Sequence, residues 1–171
     1  MTGEPSRFPR SCLGLTATAV FAAGLGAQTQ PIDVFVSSGY CCVPGSALCS
    51  RQRGDGMVFA SLSSRFRLSR RWAYQPEFTY ENNARTGGDY VILQSVAVEL
   101  GWDARIKPYL IFGAELRFRP AQRGSFDLDP NGGFGVKMYL SKRLFAAPEV
   151  RFGSGTLLRI GAGVGYTFGG P

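Results

Sequence analysis

The sequence contains no histidine. That absence removes the commonest general base, the commonest zinc ligand and every Ser-His or Cys-His pair. Catalysis by carboxylates alone stays open in principle. Charge is scarce as well: 18% of the 171 residues are Asp, Glu, Lys or Arg. Past the N-terminus no apolar run reaches the roughly 18 residues that a membrane helix needs. No block of like charges appears either. The net charge of +7 is therefore read as arginines in turns and in a polar interior, and no nucleic acid is expected as a partner. Nothing marks a second domain, a linker or a repeat beyond hairpins.

Glycine (23) and aromatic residues (Phe 13, Tyr 7, Trp 2) are plentiful, and 44% of the chain is hydrophobic. Glycine weakens helices and aromatics suit pleated strands, so the composition is that of a β protein. Residues 1–27 read as an export signal. Arg7 and Arg10 supply the positive start, Cys12 to Ala23 the apolar stretch, and Gly24, Gly26 and Ala27 the small residues of a cleavage region. Residues 28–171 form the remaining domain.

From residue 30 onward the pattern alternates with a period of two. Eight segments emerge: Ile32–Tyr40, Gly56–Leu68, Arg71–Glu81, Tyr90–Trp102, Pro108–Arg119, Gly132–Leu140, Leu144–Gly153 and Thr156–Phe168. Most run 9–13 residues, which suits tilted membrane strands. In the last, Leu158, Ile160, Ala162, Val164, Tyr166 and Phe168 share one face, against Arg159, Gly161, Gly163, Gly165 and Thr167. A soluble barrel turns the apolar face inward, and a membrane barrel inverts that. Three features favour inversion. Aromatics sit near strand ends (Trp72, Tyr80, Tyr90, Trp102, Phe118, Phe168), as in interfacial girdles. The charged faces are glycine-rich, as a narrow lumen holding Arg and Glu requires. The chain also carries an export signal. The connections support the same reading. Turns at Ser69–Arg70, Asp103–Lys107 and Ser141–Arg143 are short, whereas Cys41–Asp55, Asn82–Asp89 and Pro120–Asn131 form longer loops on the other rim. The fourth loop, Ser154–Gly155, is very short.

With these features the chain resembles the eight-stranded outer-membrane barrels, the superfamily of the outer membrane protein A transmembrane domain. The resemblance spans Ile32 to Phe168 and is most specific in Gly163-Val164-Gly165-Tyr166-Thr167-Phe168. The family's last strand reads Gly-x-x-aromatic-x-aromatic, which Gly163, Tyr166 and Phe168 match. Gly161 and the trailing Gly169-Gly170-Pro171 depart from its pattern. The resemblance implies a closed, all-β, eight-stranded antiparallel up-and-down transmembrane barrel in a bacterial outer membrane. It also implies barrel-insertion machinery and outer-membrane lipids as partners. The family's lipid A-remodelling enzymes rely on a histidine, so no enzymatic activity is expected, and no cofactor.

Ten charged residues fall on the expected inner face: Arg65, Arg67, Glu77, Glu99, Glu115, Arg117, Lys137, Glu149, Arg151 and Arg159. Buried ions persist only when paired and hydrogen-bonded. These residues therefore read as a structural network filling the lumen, with a gated ion path as the rival. Eight strands leave an interior just wide enough for side chains, which favours the network. Cys41, Cys42 and Cys49 fall in the first outer loop, where Cys49 pairs with Cys41 or Cys42, or with another chain; three thiols make an incomplete metal set. The basic turns Arg70-Arg71, Arg105 with Lys107, and Lys142-Arg143 either touch anionic headgroups or are simply solvated. Three functional classes follow: a monomeric scaffold whose outer loops meet an unidentified surface partner, a narrow pore, or a soluble exported ligand-binding barrel.

Overall fold

The computed structural model describes residues 30–42, 57–83, 87–100, 105–120, 125–153 and 158–169. The expected signal segment, residues 1–27, lies outside them, as do Trp102 and Cys49. Eight strands follow one another in sequence: β1 (Ile32–Cys42), β2 (Met57–Arg67), β3 (Trp72–Asn83), β4 (Gly87–Glu99), β5 (Ile106–Arg119), β6 (Ser125–Tyr139), β7 (Leu144–Gly153) and β8 (Leu158–Phe168). Each pairs antiparallel with the next, and β8 closes on β1 from Ile32–Phe168 to Cys42–Leu158. Closure leaves no free sheet edge along the shared wall. An 11-residue strand such as β8, tilted as in membrane barrels, spans about 26 Å, close to the height of their apolar band.

The polarity is inverted. Outward residues are large and apolar: Leu62 is 53% exposed, Phe134 51% and Phe112 47%. Inward residues include charges with almost no exposure, Arg117 at 2% and Glu81 at 0% among them. A soluble protein does not bury its charges and present its phenylalanines, and a membrane barrel does both. The soluble ligand-binding alternative loses its physical basis here.

Two loops expected on the far rim are largely strand. β6 begins at Ser125 rather than Gly132, which shortens the supposed Pro120–Asn131 loop to residues 120–124. The Asn82–Asp89 loop contracts to residues 84–86. Of those three longer connections only the one between Cys42 and Met57 keeps its expected length, so the two rims differ less in loop length than the sequence predicts. The missed half-strand has a physical explanation. Phe126 and Leu128 face out and alternate with Asp127 and Asp129, yet Pro130 follows as a strand breaker. Pairing with β7 starts only at Asn131–Gly153, so Ser125 to Pro130 pair with β5 alone. A proline without a donor is tolerated on such an edge.

Pro76 and Pro148 sit mid-strand without a bulge. The register of β2 with β3 is unchanged on either side of Pro76, but the pairings Ser64–Pro76 and Arg65–Gln75 drop out of the ladder. Around Pro148 the same happens to Val136–Pro148 and Lys137–Ala147. On their other sides both prolines stay in register, Pro76 with Gln94 and Pro148 with Ala162.

Candidate functional site

The inward faces of all eight strands meet in one lumen, and side chains fill it in levels. At the terminal rim Glu99 faces Arg67 at 3.4 Å and Lys107 at 4.0 Å. One level deeper Lys137 bonds Asp33, whose other oxygen accepts from Thr167 Oγ1 at 2.7 Å. Beside them Arg65 donates twice to Gln75 Oε1, at 2.9 and 2.6 Å.

Mid-barrel, Glu77 is the hub. Arg151 Nη2 reaches one of its oxygens at 2.7 Å, and Arg159 Nη2 reaches the other at 2.9 Å. Thr79 Oγ1 also donates to Glu77, at 2.9 Å. Arg151 turns its Nε to Glu149, which accepts from Tyr109 Oη at 2.9 Å. Nearer the far rim Arg117 is held by Glu81, by Asp89 at 3.5 Å and by Glu115 at 3.2 Å. Arg119 ends the chain on Asp127, with Asp89 at 3.7 Å. Arg159 Nε lies 3.8 Å from Glu81, joining the middle to the top. Charges at this depth are tolerated only with such partners.

The glycines serve a purpose different from the one their composition suggested. They make room for aromatic rings more than for Arg and Glu. A Cβ on Gly135 lands 2.6 Å from the Tyr109 ring, one on Gly161 2.5 Å from Phe59, and one on Gly165 2.4 Å from Phe145. Each of those rings also carries a cation. Arg65 lies 4.0 Å from the Tyr109 centroid, Arg159 4.4 Å from Phe59, and Lys137 4.3 Å from Phe145. Three glycine–ring–cation units thus wedge the lumen, combining ring coverage of strand glycines with cation–π attraction.

All ten charged residues singled out in the sequence lie on the inward side, Arg67 and Glu149 only half-buried. Sequence reasoning missed Asp33, Glu81, Asp89, Lys107, Arg119 and Asp127 as members of the network, and Tyr109, Phe59 and Phe145 as lumen rings. Alternation along β3 puts Glu81 on the same inward face as Glu77, and the same count along β1 puts Asp33 inward. Cys41 and Cys42 belong to β1 and not to the loop. Parity turns Cys41 inward, where its thiol is fully buried, free and 3.8 Å from Glu81 Oε1. The Cys42 side chain lies outside the described residues. In β8, Gly163 faces the lumen while Tyr166 and Phe168 face out, their centroids 4.9 Å apart.

No protein-family model and no curated protein sequence matches the chain. Solved structures do match. Neisserial surface protein A (NspA) aligns with a TM-score of 0.61 at 13% identity, over 81% of this chain and 97% of that one. The N-terminal β-barrel domain of Pseudomonas aeruginosa OprF aligns at 0.55 and 14% identity, over 82% and 98%. The fold is that of the small eight-stranded outer-membrane barrels. A de novo designed transmembrane β-barrel aligns equally well, at 0.60 and 14% identity, over 81% and 95%. An outer-membrane barrel fold shared with a designed protein carries no function by itself, so the reading of function must rest on the lumen and the rims.

Proposed function

We propose that this protein is a non-enzymatic barrel of the bacterial outer membrane whose sealed lumen makes it a scaffold, with its far rim presented to a surface partner. The continuous chain of ion pairs from Arg119 through Asp89, Arg117, Glu81, Arg159, Glu77 and Arg151 to Glu149, which accepts a hydrogen bond from Tyr109, carries this reading. An open channel needs a continuous water path, whereas here pairs and rings occupy successive levels. Lipid covers the apolar outward faces. The terminal strand, with Gly163, Tyr166 and Phe168, is the segment that barrel-insertion machinery engages. The β5–β6 hairpin extends past Gly153, the last residue of β7, with Phe126 and Leu128 exposed on it. It offers the partner an apolar surface beyond the shared wall. The chain works as a monomer.

Planar-bilayer recording of the purified full chain tests the sealed lumen. A scaffold gives no steady unitary steps at moderate voltage. Reproducible single-channel steps would replace this proposal with a pore.

A further inference from the structure

Two hairpin turns on the rim that carries the strand termini are copies of each other. Leu68-Ser69-Arg70-Arg71 joins β2 to β3, and Leu140-Ser141-Lys142-Arg143 joins β6 to β7, on opposite sides of the barrel. Their backbones bond alike. Leu68 and Ser69 donate to Trp72 O at 2.9 and 3.1 Å, as Leu140 and Ser141 donate to Leu144 O at 2.9 and 3.1 Å. In each the serine hydroxyl caps the returning strand, accepting from Trp72 N at 3.3 Å and from Leu144 N at 3.0 Å. The next strand then fastens each turn, through Glu99 N to Arg71 O and Thr167 N to Arg143 O, both at 2.8 Å. The turns bond internally, so what they offer outward is their cations.

Among the described residues no carboxylate pairs with these cations: Glu99 and Asp33, on the same rim, already hold Arg67, Lys107 and Lys137. Arg70, Arg71 and Lys142 have no acidic partner among the described residues, and Arg143 Nη1 donates to the Tyr166 hydroxyl at 3.2 Å. Next to them stand exposed apolar residues: Leu68, Trp72, Leu140 and Leu144. A groove of about 840 Å3 runs between Arg67, Arg70, Arg71, Trp72 and Lys107, and one of about 440 Å3 between Arg105, Lys107, Tyr139 and Lys142.

We propose that this rim is a binding belt for anionic phospholipid headgroups. The geometry selects lipid over a soluble anion, because the cations adjoin the apolar band where a headgroup phosphate meets its acyl chains. Guanidinium groups suit phosphate by forming paired, charge-assisted hydrogen bonds. Each cation near an anionic surface raises affinity about fivefold. The inference rests on the membrane reading above.

The test uses the full chain in phosphatidylcholine nanodiscs containing phosphatidylglycerol at about one lipid in five. Insertion is scored first and separately, by heat-modifiable migration. Retained lipids are then counted by native mass spectrometry. The belt predicts about fivefold or greater enrichment of phosphatidylglycerol, weakened in high salt as Debye screening requires. It also predicts loss of enrichment in the variant R70S/R71S/K142S/R143S. Equal retention of the two lipids by the wild type, or unchanged enrichment in a folded serine variant, overturns the proposal. The wild-type result decides even if that variant does not fold. Soluble glycerol phosphate that displaces the lipid at millimolar concentration assigns the site to a free anion and overturns it too. A chain that never inserts refutes the membrane reading first and the belt with it.

Discussion

Replacing Glu77 by alanine probes the lumen at its hub. Glu77 is 5% exposed and accepts from Arg151 at 2.7 Å, Arg159 at 2.9 Å and Thr79 at 2.9 Å. Without it Arg151 keeps Glu149, but Arg159 is left with Thr79 at 3.2 Å, the 3.8 Å approach of Glu81 and the face of the Phe59 ring, and with no carboxylate in hydrogen-bond contact. Arg159 Nε and Nη1 and Arg151 Nη1 already have no hydrogen-bond acceptor among the described residues. Two guanidiniums sharing one lost carboxylate resemble a broken buried pair, which costs about 3–5 kcal/mol, whereas a solvated surface pair is worth about 0–1 kcal/mol. The variant Glu77→Gln keeps the shape and one acceptor and is expected to fall between. Removing Glu77, Arg151 and Arg159 together in favour of apolar residues is expected to return most of the stability, because no charge is left unpaired. Equilibrium urea unfolding in lipid vesicles, read by tryptophan fluorescence, measures each difference. A cost below about 1 kcal/mol for Glu77→Ala would refute the reasoning. It would mean that water screens these charges, and a wet lumen favours the pore.

Three further outcomes follow from particular contacts. With Cys12, Cys42 and Cys49 replaced by serine, Cys41 is expected to resist maleimide in the folded barrel and react after unfolding, since its thiol is fully buried; rapid labelling of folded protein, seen by mass, contradicts the packing. Gly165→Val places a Cβ 2.4 Å from both Phe145 and Phe35, so overpacking is expected to cost about 1–3 kcal/mol in the same urea titration; in a Phe145→Ala background the same change should cost less, the Phe35 contact remaining, and an undiminished cost would argue against the ring packing. In a Trp102→Phe background, fluorescence from outward-facing Trp72 should be strongly quenched by lipids brominated high on the acyl chain, and quenching only by aqueous iodide would remove it from the interfacial girdle.

The barrel was legible because its information is local. A period of two survives in every strand, and one inverted face fixes the other seven through pairing. The boundaries of β6 were less legible, since Pro130, Asn131, Gly132 and Gly133 carry turn chemistry, yet Pro130 sits on an edge paired with β5 alone and the next three residues pair on both sides. Which rings fill the glycine gaps was not legible at all. Gly135 lies on β6 and its ring, Tyr109, on β5, while Gly161 on β8 faces Phe59 on β2 across β1. That match depends on the register of three strands at once. Parity alone says only that both residues face inward.

One regularity joins the rim to the lumen. Leu68-Ser69-Arg70-Arg71 leads after four residues to Pro76-Glu77, and Leu140-Ser141-Lys142-Arg143 leads after four to Pro148-Glu149. Each segment thus sets a basic turn, a ladder-breaking proline and an inward glutamate at the same spacing. Because β3 and β7 stand on opposite sides of the barrel, the two glutamates approach the lumen from opposite walls. Arg151 bonds both. A barrel stitched across its middle in this way couples the two hairpins that carry its basic turns, so these ion pairs of the lumen and the cations of the two turns belong to the same two hairpins.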